Sequence, residues 1–296
     1  MRPKNRWLSA ASVVVVLQLW LCQTPWASSP DQATSAVHET YAELSGVHLS
    51  YTDTGGRGIP VVFVHAATGS SRVWEHQVPV FTAAGYRVIT YDRRGFGRSA
   101  VDPNAQPGTG ADDLLGLVTH LGIDRLHLVG TAAGGGIALD FAFSFPERLR
   151  SLVVANAVGG VQDQQYLELG QRMRPAPQFD ALPPDVRELG PSYRAANPDG
   201  TQRWLELART SRSQESPPPA QTTRNRMTFT LLEQIRVPTL LLTGDADLYA
   251  PPPVLRLFAA RIRNSESVTV PEAGHSVYWE QPEVFNRRVL EFMRKH

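Results

Sequence analysis

The 296-residue chain predicts an α/β fold, a mostly parallel central sheet with helices on both faces. Strand-length apolar runs alternate with segments of helical period from residue 41 to the C-terminus, the order that successive βα units require. Some of those runs are apolar at every position, Val61-Val62-Phe63-Val64 among them, as befits a strand covered on both faces. One segment breaks the rhythm. From Val158 to Arg236 no strand pattern is convincing, and a gap that long between two sheet strands predicts a mainly helical insertion rather than a plain loop.

Each element has its own signal. Ala42–Leu44 and Val47–Thr52 read as two short strands turned at Gly46. Ile59–Val64 is the first doubly covered strand. Ser71–Ala83 reads as a helix that offers Val73, Trp74, Val78 and Phe81 for burial, and Tyr86–Tyr91 as the next strand. A helix over Asp112–Leu121 precedes the strand Leu126–Gly130, the helix Ala133–Phe145 and the strand Leu149–Ala155. After the insertion come the strand Thr239–Thr243, a helix beyond Pro253, the strand Ser267–Val270 and a last helix over Pro282–Arg294. Residues 41–157 and 237–296 thus form the core and 158–236 a helical cap, placed over the sheet's C-terminal edge, where open α/β sheets bind ligands. In the cap, Tyr166–Met173 and Thr201–Arg209 have helical spacing, and prolines cluster at 183–184 and 217–219.

The N-terminus stands apart. Arg2, Lys4 and Arg6 precede a short apolar stretch, Leu8–Cys22, and then Thr24–Ser29, a pattern expected of a signal peptide over 1–27 followed by a loose segment over 28–40. A secreted or periplasmic location follows, with no stable membrane association after cleavage; the alternative is an uncleaved anchor. Cleavage takes the net charge from +1 to −2 and removes Cys22, the only cysteine, so the mature chain has neither a disulfide nor a thiol nucleophile. No long basic run marks a nucleic-acid partner. A small-molecule substrate or ligand is the expected partner, and no metal or organic cofactor is implied.

The richest stretch is Leu128–Gly136, a strand running through Gly130 into a sharp turn at Ala132 and on into a helix through Gly134-Gly135-Gly136. That is the layout of a G-x-S-x-G nucleophile elbow, whose strained turn lifts a serine hydroxyl above the sheet. Here the central residue is Ala132, and a methyl group cannot attack a carbonyl. The glycines read as a packing device. They match neither a Walker motif nor a dinucleotide fingerprint.

Four further motifs stand in order along the chain: Val61–Ala66, Asp92-Arg93-Arg94-Gly95-Phe96-Gly97-Arg98-Ser99, Gly244-Asp245-Ala246-Asp247 and Ala273-Gly274-His275-Ser276. Together with the elbow they resemble the α/β-hydrolase superfamily, in the cap-bearing group of esterases, haloperoxidase-like enzymes and carbon–carbon bond hydrolases, over roughly residues 43–295. The resemblance implies an α/β-hydrolase fold, His275 as general base and Asp247 as the acid that orients it, in the order nucleophile, acid, histidine. Asp245 is the fallback acid. It also implies an oxyanion hole from the backbone N–H groups of Ala133 and Ala67, although Ala66 stands where the family has glycine. Thr131 is a weak substitute nucleophile, its hydroxyl expected to point away. His65, Trp74 and Trp279 are candidate pocket residues, with core packing the alternative for each, and His127 reads as structural.

Three readings stay open. The His275–Asp247 dyad activates water or a substrate proton directly, on an ester, lactone or diketone, with no acyl-enzyme. Or the protein binds a ligand without turnover. Or alanine has replaced a serine to trap substrate.

Overall fold

The computed structural model describes residues 38–157, 160–174, 176–212 and 221–296. The expected signal peptide and residues 28–37 lie outside the described residues. His38–Thr40 already belong to the first strand, so the loose segment expected over 28–40 ends sooner.

The described residues form one sheet of β1 (His38–Leu44), β2 (Val47–Asp53), β3 (Pro60–Val64), β4 (Arg87–Tyr91), β5 (Ala100–Val101), β6 (Leu126–Thr131), β7 (Leu149–Ala155), β8 (Thr239–Gly244) and β9 (Ser265–Val270). Their order is β1-β2-β4-β3-β6-β7-β8-β9, with β5 added to β2. β1 and β2 form an antiparallel hairpin, and β2 meets β4 antiparallel. From β4 to β9 every pairing is parallel. The α/β expectation holds, and every parallel strand sends its C-terminal end to the same edge.

Period-two alternation divides the core. On β3, Val62 and Val64 enter a cluster with Leu114, Leu128, Phe141 and Phe258, while Val61 and Phe63 enter a second with Trp74, Phe81, Phe285 and Val289. Helices supply both covers: α1 (Val78–Ala83), α2 (Gly110–His120), α3 (Ala133–Ser144) and, beyond the insertion, α9 (Pro252–Ala259), α10 (Val277–Glu280) and α11 (Pro282–Met293). Burial on both faces explains why the strand is apolar throughout.

Between β7 and β8 lie α4 (Gln164–Met173), α5 (Pro184–Glu188), α6 (Pro191–Ala196), α7 (Pro198–Arg209) and α8 (Phe229–Leu232). Their apolar residues join the core clusters, Tyr166 and Leu232 on one side of the sheet, Leu189, Trp204 and Leu207 on the other.

Differences from expectation are local. The single helix expected over 71–83 is a 3-10 turn at Ser71–Trp74 followed by α1, which restarts with Pro79 in its first turn, where a missing N–H costs nothing. α2 starts two residues early because Thr109 caps it, its hydroxyl accepting from the Asp112 N–H at 3.1 Å. Two-residue β5 and four-residue α10 are too short to show a period.

Candidate active site

Adjacent parallel strands β3, β6, β7, β8 and β9 end at Val64, Thr131, Ala155, Gly244 and Val270. The residues that follow them are Ala67, Ala132, Asn156, Asp247 and His275. Chain order and sheet order together bring five distant segments to one edge.

The elbow keeps its strained geometry without its nucleophile. Ala132 sits at φ 50°, ψ −119°, a conformation that L-residues rarely adopt. Its N–H donates to Ala155 O at 2.9 Å, and its carbonyl takes the Gly135 N–H at 3.0 Å. The glycines make the turn fit: a Cβ on Gly134 would run into the carbonyl oxygens of Val64 and His65, and one on Gly130 into the Gly134 carbonyl. Ala133 opens α3, where no preceding helical carbonyl takes its N–H. Ala67, just after β3, lines a cavity with Thr68, Ala132 and Ala133.

Asp247 and His275 form a hydrogen-bonded pair. His275 Nδ1 stands 2.9 Å from both carboxylate oxygens of Asp247. Asp247 is further bound by the N–H groups of Tyr249 (2.7 Å) and Ala250 (2.9 Å), the Thr243 hydroxyl (3.1 Å) and Asn156 Nδ2 (3.0 Å). Burial alone would raise its pKa. The charge and hydrogen bond of His275, with the Ala250 N–H and Asn156, hold it below the ordinary carboxylate value. Burial alone would lower His275. The charge and hydrogen bond of Asp247, then Glu188 and Glu280, raise it above the ordinary imidazole value. With Nδ1–H donated to Asp247, the other ring nitrogen is left for substrate or water. The Tyr249 ring covers His275 at 4.4 Å between centroids.

A cavity of about 590 Å³ opens at this edge. Ala67, Thr68, Ala132, Ala133 and His275 line it, and so do Glu188, Arg93, Phe96 and Arg212. Arg93 and Arg212 both hold their guanidinium over the Phe96 ring, at 4.3 and 4.2 Å from its centroid. Arg93 is 6% exposed, its Nε has no hydrogen-bond partner among the described residues, and burial, aided by Arg212 and opposed by Tyr91, pushes it down to about 10. The next residue is the opposite case: Arg94 grips Asp113 through two hydrogen bonds of 2.7 and 3.0 Å. Glu188, on α5, is buried, and desolvation pushes its carboxyl above the ordinary range.

Several expected residues lie elsewhere. His65 is fully buried and does not line the cavity: its Nε2 accepts the Arg93 N–H at 3.0 Å and its Nδ1 meets Ala66 O at 2.7 Å. A histidine held neutral by burial and used at both nitrogens is a brace for the Asp92–Ser99 turn. Trp74 packs in the core against Phe63 and Tyr278, and Trp279 donates from Nε1 to Gly200 O at 3.2 Å. Neither tryptophan lines the cavity; both sit in the second core cluster, with Phe63, Phe81 and Phe285. The fallback acid Asp245 is exposed and accepts the Glu272 N–H at 2.6 Å. Thr131 is fully buried, with its hydroxyl unpartnered and off the cavity. His127 bonds Ser151 within the sheet at 2.7 Å, and burial pushes it down to about 4. Asn156, Glu188 and the Arg93–Arg212 pair escape motif reading. The two consecutive arginines of Asp92-Arg93-Arg94 were the one signal, and nothing in their sequence separates the paired one from the unpaired one.

Known proteins share this fold. The chain is 29% identical over 280 residues to a 2-hydroxy-6-oxononadienedioate/2-hydroxy-6-oxononatrienedioate hydrolase of Burkholderia vietnamiensis, covering 90% of this chain and 97% of that protein. A thermophilic esterase from Thermogutta terrifontis, solved with malate bound, superposes with a TM-score of 0.72 at 30% identity over 88% of this chain and 98% of that one. A bromoperoxidase from Bacillus anthracis gives 0.68 at 25% identity over 88% and 100%. The family described as alpha/beta hydrolase fold matches residues 59–282, and the chain belongs to it.

Proposed function

We propose that this protein hydrolyses a small carbonyl compound, an ester, lactone or diketone, with His275 as general base on water and no acyl-enzyme. The observation that carries the reading is the Asp247–His275 pair, hydrogen-bonded and buried beside an elbow that ends in a methyl group. Maintaining a buried carboxylate with five donors is costly to explain in a scaffold that needs no base. His275 takes a proton from water as the oxygen attacks the carbonyl carbon. The N–H groups of Ala67 and Ala133 receive the developing oxyanion, and the imidazolium, stabilised by Asp247, gives its proton up again as the leaving group departs. In serine enzymes loss of the nucleophile costs roughly a million-fold, and about a thousand-fold over water survives from the hole and binding. Base chemistry on water has to supply its rate from that residue plus the 10²–10⁴-fold, roughly, that a positioned base contributes.

A substrate bearing a carboxylate suits the cavity best. Arg93 and Arg212 share one aromatic ring with no acid partner among the described residues, and the relatives include a hydrolase named for a dioate and an esterase that bound malate.

Turnover of esters, lactones and diketones by wild type, His275→Ala and Ala132→Ser decides the matter. Wild-type turnover that His275→Ala lowers a hundred-fold or more is expected. An inert wild type alongside an active Ala132→Ser would leave a disabled esterase or a binding protein instead.

A further inference from the structure

Glu188 takes no part in the chemistry above, yet it is among the best-positioned groups in the cavity. Its main-chain carbonyl accepts the His275 N–H at 2.8 Å, which fastens the end of α5 to the loop that carries the histidine. Glu280 reinforces the joint: one of its oxygens takes the Gly190 N–H at 2.7 Å and both take the Gly274 N–H, at 3.0 and 2.9 Å. Gly190 and Gly274 pack backbone to backbone too closely for a Cβ on either. The cap residue and the histidine therefore keep a fixed relation.

Glu188 lines the cavity with Ala67, Thr68, Ala132 and His275. The residue is 6% exposed, and among the described residues Oε2 has no hydrogen-bond partner. A buried carboxyl short of partners is cheaper to hold protonated than charged.

We propose that Glu188 is the general acid of this site, giving its proton to the leaving-group oxygen while His275 takes one from water. The inference rests on His275 acting as base. The bonds balance without a co-reactant. Water's oxygen bonds to the carbonyl carbon and its proton goes to His275. The bond from carbon to the leaving oxygen breaks, and that oxygen takes the Glu188 proton. The imidazolium then returns its proton to the Glu188 carboxylate, and the sum is addition of one water. Without a serine, one nitrogen no longer has to serve attack and departure in turn, and two groups work the two ends.

Burial is the largest influence on the Glu188 carboxyl and raises it, and Asp247 from the loop after β8 adds to the rise; His275, Arg187 and Thr68 pull the other way, and the net direction is upward. Tyr249, also raised by burial and by Glu188, contributes a neutral phenol. Activity then belongs to the one-proton form of the Glu188–His275 pair and falls off on both sides of it, with apparent values that belong to the pair.

The test is Glu188→Gln on two esters of one acid, one with a nitrophenol leaving group and one with an alkyl alcohol, with melting followed in parallel. An alkyl alkoxide needs a proton to leave, and a nitrophenolate does not. For the alkyl ester kcat/KM is expected to fall about a hundred-fold or more, the scale of general acid catalysis, with loss of the alkaline limb. For the nitrophenyl ester the fall is expected to stay within a few-fold. Equal falls on both esters, or none on either, would overturn the role of Glu188 and leave the His275 reading intact. Turnover that survives His275→Ala overturns both. If the variant melts below the assay temperature, the wild type decides alone: an alkaline limb for the alkyl ester that the nitrophenyl ester lacks supports the acid, and identical profiles refute it.

Discussion

Asn156 donates from Nδ2 to Asp247 Oδ2 over 3.0 Å and to Gly274 O over 3.1 Å, and so ties the strand end of β7 to the acid and to the histidine loop. It does this from φ 50°, a conformation that asparagine tolerates better than most residues. One side chain holds together the ends of three neighbouring strands.

Asn156→Leu removes both bonds and leaves Asp247 short of a donor. A hydrogen bond to a charged group contributes about 1.5–3 kcal/mol, so a loss of about 2–3 kcal/mol is expected. Urea denaturation would record a lower midpoint with an unchanged slope, and an unchanged midpoint would refute the role given to Asn156.

Ala132→Gly relieves a residue held at positive φ, against the greater entropy of the unfolded glycine chain. Strain of this kind costs about 1–3 kcal/mol and the glycine penalty about 0.4–1, so a net gain of roughly 1 kcal/mol is expected by the same measurement.

Asp247→Asn removes the negative charge that raises His275. The folded His275 value is raised, so the rate climbs as pH rises through it. In the variant that ascending limb moves to lower pH while the rate drops, by about 10³–10⁴-fold where the residue orients a catalytic histidine. A pH–rate profile reads both changes, and a limb that stays in place would show that Asp247 does not set the His275 value.

Glu188→Gln alters stability with a known sign. The folded carboxyl has a raised pKa, so the folded state holds its proton more tightly than the unfolded chain does. Wild type loses stability as pH rises from the unfolded value, about 4.3, through the folded one, and the variant does not. Its Tm advantage over wild type is expected to be smallest near pH 4 and to grow toward pH 8, by about 2–4 °C for each kcal/mol in a chain of this size. A difference that does not change with pH would remove the case for a neutral Glu188.

Arg93→Leu removes a buried cation that has no ion-pair partner among the described residues. The preference for a carboxylate-bearing ester over its neutral analogue is expected to fall about ten-fold or more, a loss of at least ~1.4 kcal/mol in discrimination. Kinetics on the matched pair of esters measure it, and an unchanged ratio would place the anion elsewhere or nowhere.

Periodicity and punctuation carried the fold. Continuous apolar runs such as Val61–Val64 marked doubly covered strands, and glycines at 130 and 134 marked the tight turn between strand and helix, because burial and steric clash are local consequences of residue type. Asp247 and His275 were legible through the resemblance to the α/β-hydrolase superfamily, since a histidine shortly after a strand is by itself an ordinary loop residue. The aromatic residues misled, since Trp74 and Trp279 have the same apolar content whether they line a cavity or fill the layer beneath it.

By itself, then, the sequence determined the α/β class, the order of the strands along the chain and the absence of a hydroxyl at Ala132. Only the tertiary structure decided which of two adjacent arginines is paired, that Asn156 steadies the acid, and that Glu188 is bonded through its carbonyl to the His275 N–H. Those facts depend on electrostatic and hydrogen-bond partners 19 to 118 positions away along the chain, and no short-range pattern encodes a partner that the fold alone brings near.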